Sequence, residues 1–284
     1  MTIKETLKKA NDILVKNNIE ENFLKARILL SATLSVNKEY LIIHEDEEIL
    51  LEKEEEFFLK IKRLVKGEPI QYIINRAEFM GLEFYVDKNV LIPQPDTEIL
   101  VENLIALVEN LQKMKQNEIK ILDLCTGSGA IVISLCKKLQ NVKLFASDIS
   151  DKALEIAKRN ARTNETQVEF IESDLFENIN EKFDIIVSNP PYIETSEINK
   201  LSQEVQNEPR IALDGGNDGL RFYRQIAKNV KDFLNKSGYL AVEIGYNQKD
   251  QVKNIFRNYG LRNIYTKKDL NGIERIIIGQ KWKI

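Results

Sequence analysis

The chain has 284 residues, 43% of them apolar and 30% charged, with a formal net charge of −3 at pH 7. This is enough for a sizeable core in one large or two modest domains, and the composition is that of a soluble globular protein. The acidic balance argues against a nucleic-acid binder that works through a broad basic surface, a lone histidine, His44, leaves a His-rich metal site or triad nothing else to rest on, and no apolar run reaches membrane-spanning length.

The first glycine is Gly67 and the first proline Pro69, so a long opening stretch without either breaker predicts helix. Ile3, Leu7, Ala10, Ile13 and Leu14 recur at helical spacing, as do Phe23, Ala26, Ile28, Leu29 and Leu30. A third helix is predicted over about 47–65, and short connections imply a small bundle. Residues 45–56 hold eight carboxylates, which read as a solvated helix with negative charge favoured in its first turn. His44 falls between helices and reads as a surface residue. Gly67-Glu68-Pro69 then breaks the bundle, and Phe79, Leu82, Phe84 and Val86 around Gly81 predict a β-hairpin that links two domains. Pro93-Gln94-Pro95-Asp96-Thr97-Glu98 follows, where Asp96 or Thr97 can cap a helix running to about Gln112.

From Ile119 onward strand and helix patterns alternate, which predicts a parallel sheet with crossovers. Strands are expected over 119–124, 142–147, 168–172, 183–188, 239–244, 261–265 and 274–278, and helices over 130–139, 151–162, 219–235 and 248–258. The expected division is a helical domain over 1–75, a hairpin linker over 76–94 and an α/β domain over 95–284. Cys125 and Cys136 fit no metal spacing, no metal is expected, and a reducing compartment follows. The first residues lack both an apolar signal core and a transit-peptide pattern, so a cytoplasmic location is the expectation.

Two loops carry chemistry. Cys125-Thr126-Gly127-Ser128-Gly129 lies between a strand and a helix, where small residues let the backbone approach a ligand and helix amides face it. Asp148 ends the next strand, and an acidic side chain there can accept both hydroxyls of an adenosine ribose. This pairing fits a dinucleotide or S-adenosylmethionine; Val132 breaks the full G-x-G-x-x-G pattern and favours the latter. Ser173-Asp174-Leu175-Phe176 is placed to contact or stack on an adenine. The second loop is Asn189-Pro190-Pro191-Tyr192. The prolines stop the preceding buried strand, since neither donates a ladder bond. Past the carboxyl end of a strand, an Asn oxygen and the Pro190 carbonyl offer acceptors for two N–H bonds, and Tyr192 offers a flat face. That combination suits methyl transfer to an amide or amino nitrogen and resembles the (Asp/Asn/Ser)-Pro-Pro-(Tyr/Phe) motif of amino-group methyltransferases.

The wider pattern resembles the bacterial release factor glutamine methyltransferases, the HemK/PrmC family. The residues that carry the resemblance are 67–72, 92–98, 123–130, Asn189 to Tyr192, and 208–216 with 218–220. The resemblance implies a Rossmann-like class I methyltransferase sheet with a small N-terminal helical bundle joined by a β-hairpin. It implies methylation of N5 of the glutamine in the Gly-Gly-Gln motif of class I peptide chain release factors. S-adenosylmethionine would be the methyl donor and S-adenosylhomocysteine the product. It further implies that Cys125, Thr126, Gly127, Ser128, Gly129, Asp148 and Leu175 hold the cofactor. Asn189 would touch both cofactor and substrate, with Pro190, Pro191 and Tyr192 on the glutamine amide; Asn189, Pro190 and Tyr192 would be catalytic. The helical domain would recognise the protein substrate, and a monomer is expected. Three positions depart from the family pattern: Gln94 for Arg, Cys125 for Gly, and Leu175 for an aromatic. Methylation of adenine or guanine in DNA or ribosomal RNA, and a non-catalytic cofactor-binding protein, are the alternatives, the first disfavoured by a pI near 5.6.

Overall fold

A computed structural model describes residues 1–114, 117–269 and 271–282. The chain forms two compact units, Met1–Arg76 with Ser202–Asn207, and Ala77–Leu201 with Glu208–Ile284.

The first unit holds α1 (Ile3–Lys16), α2 (Asn22–Leu34), α3 (Lys38–Ile43), α4 (Leu51–Val65) and α5 (Ile70–Ile74). Thr2 and Glu5 form a reciprocal capping box at the start of α1. Ile3, Leu7, Leu14, Leu29, Leu30, Phe57 and Ile61 form its core. The helix expected from residue 47 begins at Leu51 instead, because the backbone of 45–49 is engaged by the first residues of the chain. Ile3 N donates to Glu47 O, and Ile49 N to Met1 O. The helix α3 has no counterpart in the expected pattern; Asn37 caps it through Tyr40 N at 2.8 Å. His44 ends α3, half-buried, stacked on Tyr40 and 2.7 Å from Glu47 Oε1. The short helix α9 (Gln203–Gln206) comes from far along the chain, and Lys25 pairs with its Glu204 at 3.0 Å.

The second unit opens with a hairpin of β1 (Ala77–Phe79) and β2 (Leu82–Phe84). The strands pair as expected, but the hairpin is shorter and lies within this unit rather than standing apart as a linker. It continues through α6 (Pro95–Met114), β3 (Ile119–Leu124), α7 (Ala130–Lys138), β4 (Val142–Asp148), α8 (Asp151–Thr163), β5 (Glu169–Glu172) and β6 (Phe183–Ser188). After a 3-10 turn at Ile198–Lys200 come α10 (Arg210–Leu213), α11 (Arg221–Phe233), β7 (Leu234–Glu243), α12 (Lys249–Asn258), β8 (Leu261–Lys268) and β9 (Glu274–Lys281). The strand β7 starts five residues earlier than expected, with a register shift in its ladder to β6.

The sheet order is β5-β4-β3-β6-β7-β9-β8. Five strands run parallel, and β9 is antiparallel to both neighbours. Alternate residues face opposite sides. Ile121, Ile185 and Val187 join one core with α6 and α7, whereas Leu122, Leu124 and Ile186 join the other with α11 and α12. The order reverses between β3 and β6, and ligands bind in the crevice at such a point. Among the described residues no helix is long and apolar enough to cross a membrane.

Candidate active site

The ends of β3 and β6 are locked side by side. Leu124 and Ser188 are register partners, and Ser188 Oγ donates to Leu124 O at 2.8 Å. The loop after each strand therefore leaves the sheet beside the other. The cavity there has a volume of about 200 Å³, against roughly 10–15 Å³ for one ordered water, so it is sized for an organic ligand.

Cys125, Thr126, Gly127 and Ser128 line this cavity, as do Asp148, Leu175, Asn189 and Pro191. Of the residues singled out in the sequence, Gly129, Pro190 and Tyr192 lie outside its lining. Gly129 (φ 82°) starts α7; a Cβ there would lie 2.9 Å from Ile133 Cδ1 and 3.2 Å from Ala157 Cβ. Cys125 takes φ 61° with a side chain present, a conformation that costs an L-residue about 1–2 kcal/mol, and burial pushes its thiol up. Thr126 hydroxyl donates to Asp123 Oδ2 at 2.6 Å. Asp123 is fully buried, which pushes its carboxyl up to about 7.

Asp148 sits across from the glycine loop. Its Oδ2 accepts from Gly127 N at 2.9 Å and its Oδ1 from Ser150 N at 3.0 Å. Burial raises its pKa against the pull of those two N–H groups. Each oxygen retains a lone pair for a further donor. Asp174 also lines the cavity, and its carboxylate has no partner among the described residues. Phe176 does not: it is buried and stacks on Phe233 with ring centroids 4.6 Å apart. The expectation that Phe176 could serve an adenine ring is thereby corrected, since its face is already covered.

Asn189 projects from the end of β6. Its Nδ2 donates to Thr97 Oγ1 at 3.2 Å, and Thr97 Oγ1 donates to Glu243 Oε2 at 2.5 Å. Ser188 pairs with Val242, so Asn189 and Glu243 leave neighbouring strands at the same level. Among the described residues no donor reaches Asn189 Oδ1 or the Pro190 carbonyl. Pro190 and Pro191 are buried. Tyr192 is half-buried, with its hydroxyl 3.5 Å from Glu243 Oε1. Gln248 Nε2 donates to Tyr192 O at 2.9 Å, while its Oε1 accepts from Gly245 N at 2.9 Å.

Several residues here escaped the sequence reading. Thr97 was expected as a helix cap; its hydroxyl instead serves Glu243, and Asp96, the other capping candidate, pairs with Arg275 at 2.9 Å. Glu243 ends the apolar run Tyr239-Leu240-Ala241-Val242, and a carboxylate closing a buried strand is the signal that marked Asp148. Burial pushes Glu243 up to about 7. Asn160 on α8 ties the glycine loop to the segment after the hairpin, donating to Ser128 O at 2.9 Å and Tyr85 O at 3.0 Å while accepting from Tyr85 N.

The sequence pattern described as the PrmC N-terminal domain matches residues 5–74, and that described as the Methyltransferase small domain matches 104–236. A release factor glutamine methyltransferase of Clostridium acetobutylicum is 42% identical over 284 residues, with 98% of each chain covered. One of Clostridium botulinum is 39% identical over 288 residues, covering 99% of this chain and all of its own. Among solved structures, a methyltransferase from Pyrococcus furiosus superposes with a TM-score of 0.51 at 20% identity, covering 78% of this chain and 97% of its own. That last likeness concerns the fold alone.

Proposed function

The chain belongs to the release factor glutamine methyltransferase family, and from that premise we propose that it methylates N5 of the glutamine in the Gly-Gly-Gln motif of class I peptide chain release factors, using S-adenosylmethionine. The sheet is the Rossmann-like class I methyltransferase sheet. That cofactor, when bound, supplies a methyl group already activated by a sulfonium charge.

The residues present fit such a group. The unpaired Asp174 carboxylate and the remaining lone pairs of Asp148 offer acceptors for amino and hydroxyl groups on one cavity wall. Ser128 beside them offers its hydroxyl, the Thr126 hydroxyl and Gly127 N being committed to Asp123 and Asp148. We assign Cys125 to Gly129 and Asp148 to holding the cofactor, with Leu175 against its base.

The observation that carries the substrate assignment is a pair of acceptors. Asn189 Oδ1 and the Pro190 carbonyl follow one another in the chain after β6, neither with a donor among the described residues, while Asn189 lines the cavity and its Nδ2 is tied back to Thr97. A primary amide has two N–H bonds to satisfy, and its nitrogen is a weak nucleophile because its lone pair is delocalised. Two fixed acceptors orient that nitrogen and stabilise the positive charge that grows on it. Pro191 and Tyr192 would hold the amide plane, Tyr192 through its ring face. The proton leaves after transfer, when the nitrogen is far more acidic. We assign recognition of the protein substrate to the helical unit.

The test uses labelled S-adenosylmethionine with, in separate reactions, a full-length class I release factor, duplex DNA and ribosomal RNA. Label is expected in the release factor, on the glutamine of its Gly-Gly-Gln loop. Label on nucleic acid alone would overturn the assignment.

A further inference from the structure

We infer that Thr97, held by Glu243, sets the Asn189 amide in the one orientation that presents its oxygen to the nitrogen being methylated. The two are positioning residues for the transfer proposed above, and the inference rests on that reading. An Asn amide presents an acceptor or a donor at nearly the same place, according to a half-turn of its last torsion. The reaction needs the acceptor; a flipped amide would put N–H groups against the N–H groups of the substrate. Something must break the tie.

The geometry supplies it. A threonine hydroxyl has one proton. That of Thr97 is donated to Glu243 Oε2 at 2.5 Å, and an ionised carboxylate can only accept. With the proton committed there, Thr97 Oγ1 has only acceptor capacity left for Asn189. The amide must therefore turn Nδ2 to it, at 3.2 Å, and leave Oδ1 facing away. Water offers little rescue for a wrong choice, since Thr97 and Glu243 are 4% and 2% exposed.

The arrangement depends on the charge of Glu243. Burial is the largest influence and opposes the ionised form, as does Asp96 on α6, whereas the Thr97 hydroxyl, Arg275 on β9 and a direct contact from the Asn189 amide, which reinforces the same amide orientation, favour it. Tyr192 in the motif loop places its hydroxyl 3.5 Å from the carboxylate, and Tyr223 on α11 bonds the Glu243 carbonyl at 2.9 Å. Burial holds the carboxyl near 7. Once neutral, Glu243 can donate to Thr97, which frees the Thr97 proton for Asn189 and removes the bias.

The experiment measures transfer to a full-length class I release factor at saturating S-adenosylmethionine. In Thr97→Val, kcat should fall by about tenfold to a hundredfold with S-adenosylhomocysteine affinity unchanged, and Thr97→Ser should recover most of the loss. Wild-type kcat should fall on acidification through about 7, and the Thr97→Val and Glu243→Gln profiles should be flat there. In the wild type without substrate, the Asn189 side-chain NH2 signals in a 15N–1H spectrum should titrate over the same range; in Glu243→Gln they should not. A Thr97→Val enzyme at wild-type kcat, equal losses in Val and Ser variants, or an acid limb that persists in Glu243→Gln overturns the inference. Because the spectra need no substrate, they decide it even if no release factor is methylated, a result that would fall on the proposed activity alone.

Discussion

Asn189 should show the largest single-residue effect on rate. Its oxygen matters most where positive charge develops, so its contribution is greatest in the transition state. Asn189→Ala is expected to lower the methylation rate by about a hundredfold or more while a pull-down still recovers the release factor, since one side chain should be a small part of a protein–protein contact. A variant at near wild-type rate would sink the catalytic assignment. Asp148 belongs to the other half of the site. It accepts from Gly127 and Ser150 amides, so it orders the loop as well as facing the cavity. Asp148→Ala is expected to weaken S-adenosylhomocysteine binding by about 1.5–3 kcal/mol. Calorimetric titration giving unchanged affinity in the folded variant would remove Asp148 from the cofactor site.

At the scale of elements, the loop after β6 is held from outside itself. Ile193 N donates to Leu213 O and Gly215 N to Ile193 O, which straps the loop to the end of α10. Gly219 closes the arrangement. It takes φ 67°, and a Cβ there would stand 2.4 Å from Tyr192 O and 2.7 Å from Gln248 Nε2. Gly219→Ala should therefore force Tyr192 away and break the bond from Gln248. Its expected signature is a fall in kcat with cofactor affinity kept, because the loop proposed to hold the cofactor follows β3 instead. A matching loss of cofactor affinity would show that the two loops move as one. Stability should drop by about 1–3 kcal/mol, the usual cost of a forced backbone conformation.

Over the whole molecule, carboxyls raised by burial shape the acid side of stability, Asp148 among them. Burial pushes Asp123, Glu208 and Glu243 each up to about 7, from ordinary values of 3.8, 4.5 and 4.5. Between those limits the folded protein binds more protons than the unfolded chain, so stability falls as pH rises through that window. Asp214, Asp218, Asp269 and Glu274 are lowered, and they act in the opposite sense, but only below their unfolded values. Tm should accordingly decline between about pH 5 and pH 7.5, and Glu243→Gln should flatten the decline. A Tm that rises over that range would show that these groups are not raised. The helical unit offers a second test at this scale. Ile43 and Leu51 are 76% and 70% exposed, so both are accessible to the substrate if this unit recognises it. Replacing both by Ser should raise KM for an intact release factor by roughly tenfold and leave a short Gly-Gly-Gln peptide unaffected. Equal effects on both substrates would remove the unit from recognition.

What the sequence determined by itself was local. Alternating apolar runs and breakers place β3, β4, β6 and their following loops, because a strand's period and a proline's missing N–H act within a few residues. Cys125 to Ser128, Asp148 and Asn189 could be picked out for the same reason: each stands at a strand end that its own neighbours define. The tertiary structure decided whatever depends on a partner far along the chain. Thr97 could cap its own helix or serve a carboxylate, and the choice fell to Glu243, 146 residues away, because the fold buries both together. Phe176 turned into the core because Phe233 was there to cover it, and α4 began late because the first residues took the backbone bonds of 45–49. Ser202–Asn207 joined the helical unit through Lys25 and through Asn207 Nδ2, which donates to Gly67 O at 2.9 Å. No local pattern encodes such pairs; they form only once the fold has brought segments distant in sequence together, and water competes least for the buried ones.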